Sequence, residues 1–170
     1  GFRGWGRASV FGSTSDTSLP WGAVMTYREA TPASKVRVPE GFKVELVHSS
    51  QAGEGSWIAM EMDERGRAVV AVESGGLARV TRTGPGQASY ERLDADVGTC
   101  MGLLFAYDSL YCTVTENPAK QGGLHRLRDT DGDDRCDRHA VPELFGHQRE
   151  HGALGLAVGP DGAINRAPGP

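Results

Sequence analysis

Four closely spaced aspartates mark the stretch of the chain best suited to binding a metal ion. Asp129, Asp131, Asp133 and Asp137 occupy the first, third, fifth and ninth positions of a calcium-loop pattern, and the carbonyl of Arg135 stands at the seventh. Calcium takes about six to eight oxygen ligands, and this spacing wraps carboxylates around one point. The sequence therefore predicts a calcium site over these residues.

The loop departs from the calcium pattern at two positions. Asp134 occupies the sixth position, where glycine is usual, and Ala140 occupies the twelfth, where a bidentate glutamate is usual. We therefore expect weak affinity, and a weak site fills only where calcium is abundant, outside the cytoplasm. The alternative is a solvated connection in which the aspartates form Asx turns without an ion.

A second candidate for chemistry is His151, in the glycine-flanked stretch REHGALG. A neutral imidazole near neutral pH can act as a general base. The alternative is a loop histidine that is hydrogen-bonded to the backbone. A catalytic role requires that His151 share one face of the fold with the other polar loop residues, and this depends on the elements that carry them.

Eight short strands, separated by tight turn signals, occupy the middle of the chain. They are WIAMEM, RAVVAVE, GLARVTR and ASYERL, followed by MGLLFA, LYCTVTE, GGLHRLR and RHAVPEL. The third strands of the two sets align: GGLARV begins at residue 75 and GGLHRL begins 47 residues later, at 122. A period of roughly 40–50 residues with four strands is typical of β-propeller blades.

We therefore predict an all-β fold, an incomplete β-propeller of about two four-stranded antiparallel blades plus the start of a third. The blades cover about residues 57–94 and 101–145, and the third begins at 153. The first and second strands of each set are nearly continuous apolar runs, as expected where both faces of a strand are covered. After Ile164 no second strand is expected in the third copy, so the chain is expected to be a fragment whose outermost sheets have uncovered faces.

Strand order assigns the candidate residues to two opposite faces. His151 lies between the last strand of one blade and the first strand of the next, on the face where propellers bind ligands. Loops joining second to third strands open on the same face, and they carry Glu73, Glu116 and Asn117. The acidic loop joins a third strand to a fourth and opens on the opposite face, so calcium there would be structural.

The segments outside the blades are less regular. Residues 1–35 lack periodicity and are expected to be a disordered or extended leader, with a partial propeller over 36–164 and a tail over 165–170. Within 36–56 we expect one further strand over 42–48, with Phe42, Val44 and Leu46 on one face and His48 as a polar residue at its end.

The three cysteines form no metal or haem signature. The turn near Tyr107 places Cys112 opposite about Leu103, so Cys100 and Cys112 do not oppose each other. We therefore expect isolated buried thiols and no disulfide.

Charge and hydropathy exclude two classes of partner. The formal net charge is -4 and the pI is about 5.7, which argues against nucleic acid because no basic stripe is available to displace counterions. No apolar run reaches the length of about 18 residues that a membrane span needs. No targeting segment is visible, so we expect that one has been removed or that the chain is a fragment.

The chain resembles the soluble quinoprotein glucose/sorbosone dehydrogenase family of propellers. It is most similar to the propeller of large bacterial proteins labelled membrane-bound dehydrogenase, which often carry a haem c domain. The matching stretches cover about residues 38–164, and they are VPEGFKVELV, GGLARV, GGLHRLRDTDGDDRCD and EHGALGLAVGPDG. The resemblance implies that His151 is the base that deprotonates a sugar hydroxyl as hydride passes to pyrroloquinoline quinone.

The resemblance also implies a location and partners. It suggests a periplasmic or secreted oxidoreductase that acts on a sugar or alcohol, with haem c only in a missing downstream cytochrome domain. The 170 residues by themselves are expected to be inactive, because most of the pocket would lie in other blades. The alternative is a non-catalytic propeller that binds carbohydrate or protein and serves as a scaffold for a haem c domain.

Overall fold

The structure, a computed structural model, describes residues 30–115, 122–145 and 155–167. Regular structure in these ranges is strand throughout, apart from one turn of 3-10 helix at Ala33–Lys35. Across the same ranges the structure holds no helix that is long and apolar enough to cross a membrane. Three predicted site residues, Glu116, Asn117 and His151, lie outside the described residues, as does most of the expected leader.

The strands form three antiparallel sheets, each in sequence order. The first sheet contains β1 (Trp57–Met62), β2 (Ala68–Val72), β3 (Leu77–Gly84) and β4 (Gln87–Arg92). The second sheet contains β5 (Cys100–Ala106), β6 (Ser109–Val114), β7 (Gly123–Arg128) and β8 (Arg138–Leu144). The third contains β9 (Leu156–Val158) and β10 (Ile164–Arg166). The prediction of an all-β fold with two four-stranded antiparallel sheets in a propeller-like arrangement is confirmed.

The first and second sheets stack face to face around one apolar core. Strand β5 packs against β1 and β2, and the core between the sheets includes Val69, Leu77, Leu103 and Leu127. The second strands, β2 and β6, are buried along almost their whole length, whereas β8 is exposed at every residue. This gradient follows the apolar and polar runs of the sequence, because an inner strand is covered on both faces and an outer strand meets water.

Residues at equivalent positions of the sequence repeat point in the same direction along the stack of sheets. Leu77 belongs to the core between the first and second sheets. Its counterpart Leu124 pairs with Thr113 and so lies on the face of the second sheet that points away from the first. The neighbouring pair behaves in the same way: Ala78 packs on the far face of the first sheet, and His125 lies on the face of the second sheet that meets the first. Equivalent residues therefore face the same way around the stack, as in successive blades.

The segment expected to form a strand over 42–48 forms none, so this prediction is wrong. Phe42 is 72% exposed, although its alternation with Val44 and Leu46 suggested a buried face. The segment is held instead by polar contacts, in which Glu45 accepts hydrogen bonds from the Arg82 guanidinium at 2.9 Å and from the backbone N–H of Gly86 at 2.9 Å. Alternation in so short a segment did not specify a partner strand.

Two expectations about the ends of the stack are corrected. The far face of the first sheet was expected to be uncovered, yet Val70 and Val72 are at most 1% exposed. Residues that precede β1 cover part of this face, where His48 stacks on Trp57 with ring centroids 5.6 Å apart. At the other end a second strand does follow the turn at 159–162, because β10 pairs with β9 from Ile164 onward.

The cysteines are free, as expected, but two of them are not isolated. Cys112 lies opposite Leu103, which confirms the expected register. Cys100 and Cys112 are both fully buried in the core between the sheets. A hydrogen bond with Cys100, together with burial, raises the pKa of the Cys112 thiol, so these two side chains are neighbours.

Substitution of Leu77 tests how much the core between the sheets contributes to the free energy of unfolding. Its side chain is fully buried, so Leu77→Ala should lower the free energy of unfolding by about 2–5 kcal/mol through lost burial and a residual cavity. Leu144, on the outer strand and 54% exposed, is the matched control, and Leu144→Ala should change it by about 0.5 kcal/mol or less. Urea unfolding measures both values, and equal values for the two variants would contradict the stacked arrangement.

Candidate metal centre

The acidic loop connects β7 to β8 at the end of the second sheet that also carries the β5–β6 turn. The β1–β2 turn of the first sheet lies at this same end, because Arg65 in that turn donates a hydrogen bond to Asp134 in the acidic loop. The opposite end carries Glu73, whose backbone carbonyl accepts a hydrogen bond from the Thr99 hydroxyl at 3.2 Å. Glu73 and the acidic loop therefore lie at opposite ends of the stack, as strand order predicted.

Three of the predicted ligands are gathered at one point. Asp129, Asp131 and Asp133 each offer a carboxylate oxygen, and these three oxygens lie within 4.8 Å of one another. Oxygens bound to one calcium ion at about 2.3–2.6 Å can be at most about 5 Å apart, so the three carboxylates are close enough to share an ion.

Backbone N–H groups fix the orientation of these carboxylates. Asp129 accepts hydrogen bonds from the N–H groups of Gly132 at 2.7 Å and Asp134 at 2.8 Å, and Asp133 accepts one from Arg135 at 2.8 Å. Desolvation raises the pKa of Asp129, but these N–H donors outweigh it and the pKa is lowered overall. The carboxylate therefore stays charged near neutral pH, as a calcium ligand must.

Asp137 does not join the three carboxylates. It accepts a hydrogen bond from the backbone N–H of Thr130 at 2.8 Å and another from the Thr130 hydroxyl. The hydroxyl bond is the main cause of the lowered pKa of Asp137. Asp137 therefore closes the loop across its base, and in calcium loops this ninth position often reaches the ion through water.

Asp134 has a role that the sequence analysis missed. Its φ is +70°, in the left-handed region that the usual glycine would supply. Its carboxylate accepts hydrogen bonds from the Arg67 guanidinium at 2.9 Å to each oxygen, and from Arg65 at 2.6 Å. Aspartate tolerates left-handed backbone better than most residues, and here the position gives an ion pair between the acidic loop and the first sheet.

Further polar contacts surround this ion pair. Arg67 also donates to Asp63 at 2.6 Å, and Arg79 donates to the backbone carbonyl of Asp134 at 3.1 Å. A cavity of about 430 Å³ lies between the sheets beside these groups, lined in part by Asp129 and Cys136. We call the contacts of Arg65 and Arg67 with Asp134 the intersheet ion pairs. A charged residue at a glycine position was the available signal, but nothing local connects Asp134 to an arginine 67 residues away.

The intersheet ion pairs predict a pH dependence of stability. The hydrogen bonds from Arg67 lower the pKa of Asp134 to about 2, from an ordinary value of 3.8. A folded-state pKa below the unfolded value gives stability that is present above about pH 4 and is lost as the pH falls towards 2. Asp134→Asn, which keeps the left-handed backbone accessible, should cost about 1 kcal/mol at neutral pH after solvent screening, and progressively less as the pH falls through about 2.

Asp108 provides the control for this variant. Asp108 also has a left-handed φ, of +50°, but lies 3.9 Å from Arg128 with its side chain 83% exposed. Asp108→Asn should therefore leave the free energy of unfolding within about 0.5 kcal/mol at every pH. Urea titrations with chelator present measure both variants, and a loss for Asp134→Asn that is the same at all pH values would contradict the ion-pair explanation.

Comparison with known proteins assigns the chain to no family. No protein-family model matches the sequence, and no curated protein matches it closely enough to count as a relative.

Proposed function

We propose that the chain is a calcium-stabilised part of an extracytoplasmic β-propeller of the sugar-dehydrogenase type. The observation that carries the calcium part is the convergence of Asp129, Asp131 and Asp133 within 4.8 Å. In this proposal calcium is structural, because the acidic loop lies at the end of the stack opposite Glu73.

The proposed ion would strengthen the contact between the sheets. The carboxylate of Asp129 accepts the N–H of Asp134 at 2.8 Å, and the side chain of Asp134 binds Arg67 on the first sheet. An ion held by Asp129, Asp131, Asp133 and the Arg135 carbonyl would fix the backbone that presents Asp134. Calcium would therefore stabilise the stack and not only the loop.

The shell is incomplete, so we expect weak binding. Three carboxylates, one carbonyl and water give a hard oxygen shell of the kind calcium prefers, without the bidentate glutamate of tight sites. Dissociation constants of about 0.1–1 mM are typical of extracellular calcium modules. A site of this affinity would be occupied where calcium is abundant, which agrees with the proposed periplasmic or secreted location.

Calcium should raise the melting temperature of the wild-type chain, and Asp131→Asn should abolish this effect. At about 10 mM calcium the expected gain is about 1.4–2.7 kcal/mol, which corresponds to about 3–10 °C for a chain of this size. Asp161→Asn, in the turn before β10, is the control and should keep the full response. Equal melting curves in calcium and in chelator would leave the loop as a set of Asx turns.

The proposed chemistry rests on the resemblance to quinone-dependent dehydrogenases. His151 belongs to the connection between β8 and β9, which corresponds to the connection between β4 and β5. That earlier connection lies against the loop of Glu73, since the N–H of Gly76 donates to the carbonyl of Gly98 at 3.1 Å. This arrangement supports a ligand face in which His151 is the general base, with Glu73, Glu116 and Asn117 on the surrounding loops.

Pyrroloquinoline quinone would supply the hydride acceptor in this proposal. The residues of this chain would bind and orient a sugar or alcohol and accept its hydroxyl proton at the imidazole of His151. A haem c domain elsewhere in the protein would receive the electrons.

Oxidation of a sugar panel by the full-length protein, reconstituted with quinone and calcium, tests the proposed activity. His151→Ala should lower kcat/KM at least about 100-fold, the usual contribution of a general base, whereas His147→Ala should not. Binding of carbohydrate or protein without turnover, and without a spectral change on adding quinone, would favour the non-catalytic propeller. Turnover by residues 1–170 alone would contradict the expectation that the pocket needs further blades.

A further inference from the structure

Two histidines on neighbouring strands of the second sheet face each other through their ring nitrogens. The distance from Nδ1 of His125 on β7 to Nε2 of His139 on β8 is 2.9 Å, and the ring centroids lie 5.0 Å apart. One of these nitrogens carries the shared hydrogen and the other accepts it, since both are at hydrogen-bond distance. Neither residue belongs to the proposed calcium site or to the proposed ligand face.

Each of the two rings is carried by a strand of the second sheet. His125 lies opposite Cys112 on β6 and is 4% exposed. The β7–β8 pairing shifts register between Leu124 and Arg126, and His139 pairs with Leu127, two positions further along β7. The two imidazoles are therefore diagonal neighbours on one face of the sheet, and strand positions hold side chains more precisely than loops do.

The facing nitrogens have the separation of two ligands on one metal ion. Nitrogens bound at about 2.0–2.1 Å and at a right angle to each other lie about 2.9 Å apart. When His139 carries the shared hydrogen, a change of its tautomer moves this hydrogen to Nδ1, and rotation of the exposed His139 ring turns the two lone pairs from each other toward one ion. We propose that His125 and His139 form a two-imidazole site for a divalent transition-metal ion.

The neighbouring groups define which ions fit. Cys112 faces the same side of the sheet, but it is fully buried in the core between the sheets and hydrogen-bonded with Cys100. Without a thiolate, the donors are two imidazoles and water, which suit Cu²⁺, Ni²⁺ and Zn²⁺ better than Cu⁺. Calcium prefers oxygen ligands, so the acidic loop and the imidazole pair select different ions.

The ion has a direct route to the pair. His139 is exposed on the outer strand, whereas His125 is buried beneath it. An ion can therefore enter from solvent through the His139 side without separation of the sheets, and water can complete its coordination.

Calorimetric titration of the whole chain with Ni²⁺, with calcium in excess to occupy the acidic loop, tests this site. His139→Gln should weaken nickel binding at least about tenfold, because loss of even an outer-shell partner costs about 10–100-fold. His48 provides the matched control. It lies in the segment that covers the first sheet, and its Nε2 lies 2.8 Å from a carboxylate oxygen of Glu54. His48→Gln should leave nickel affinity unchanged.

A second measurement uses the wild-type chain, so it does not depend on whether the variant folds. In nitrogen-15 spectra of the histidine rings, Zn²⁺ should shift the Nδ1 resonance of His125 and the Nε2 resonance of His139 in the wild-type chain. Unchanged nickel affinity in His139→Gln would overturn the proposal. So would the absence of nickel binding in the wild type, or zinc-induced shifts confined to other histidines.

Discussion

The stack depends on the burial of both faces of the second strands. Val69 and Val70 are adjacent in β2, point to opposite faces, and are each at most 1% exposed. A single sheet with one wet face cannot bury both, so the first sheet needs a covering layer on each side. The second sheet supplies one layer and the segment before β1 supplies part of the other. The position of every candidate group follows from this packing, because it sets which turns and loops meet at each end.

At one end of the stack, an ion pair aligns the two sheets that the apolar core holds together. The core between the sheets is non-directional and does not by itself fix how the sheets are aligned. The bidentate contact between Arg67 and Asp134 is directional, and it joins a turn of the first sheet to the acidic loop of the second. The same loop holds the three converging carboxylates. A change in the acidic loop is therefore coupled to the alignment of the two sheets through one residue.

The second sheet brings together two kinds of metal donor in separate places. Hard carboxylate oxygens gather in the loop beyond β7, and imidazole nitrogens face each other on β7 and β8. The difference in donor type keeps the two proposed sites chemically distinct, because calcium avoids imidazole and borderline transition metals favour it. Both sites lie on the outer half of the sheet, where Asp131, Asp133 and His139 are exposed while the inner strands remain in the core.

The sequence by itself determined the strands, the turns and the antiparallel order of the two main sheets. Alternation, apolar runs and turn signals such as the one near Tyr107 are local properties, so they can be read without knowing what a strand packs against. Spacing alone also predicted the convergence of Asp129, Asp131 and Asp133, since a loop that turns within a few residues brings its own side chains together.

Tertiary structure alone decided the contacts between residues far apart in the chain. Asp134 seemed a departure from a calcium pattern until packing brought it against Arg67, and His125 meets His139 because the pairing of Leu127 with His139 makes the two histidines diagonal neighbours. The segment over 42–48 alternates like a strand but pairs with none, and the contacts of Glu45 with Arg82 and Gly86 hold it instead. The contact of Asp134 depends on how whole sheets stack and that of His125 on the pairing register of β7 with β8, and no local property of the chain encodes either.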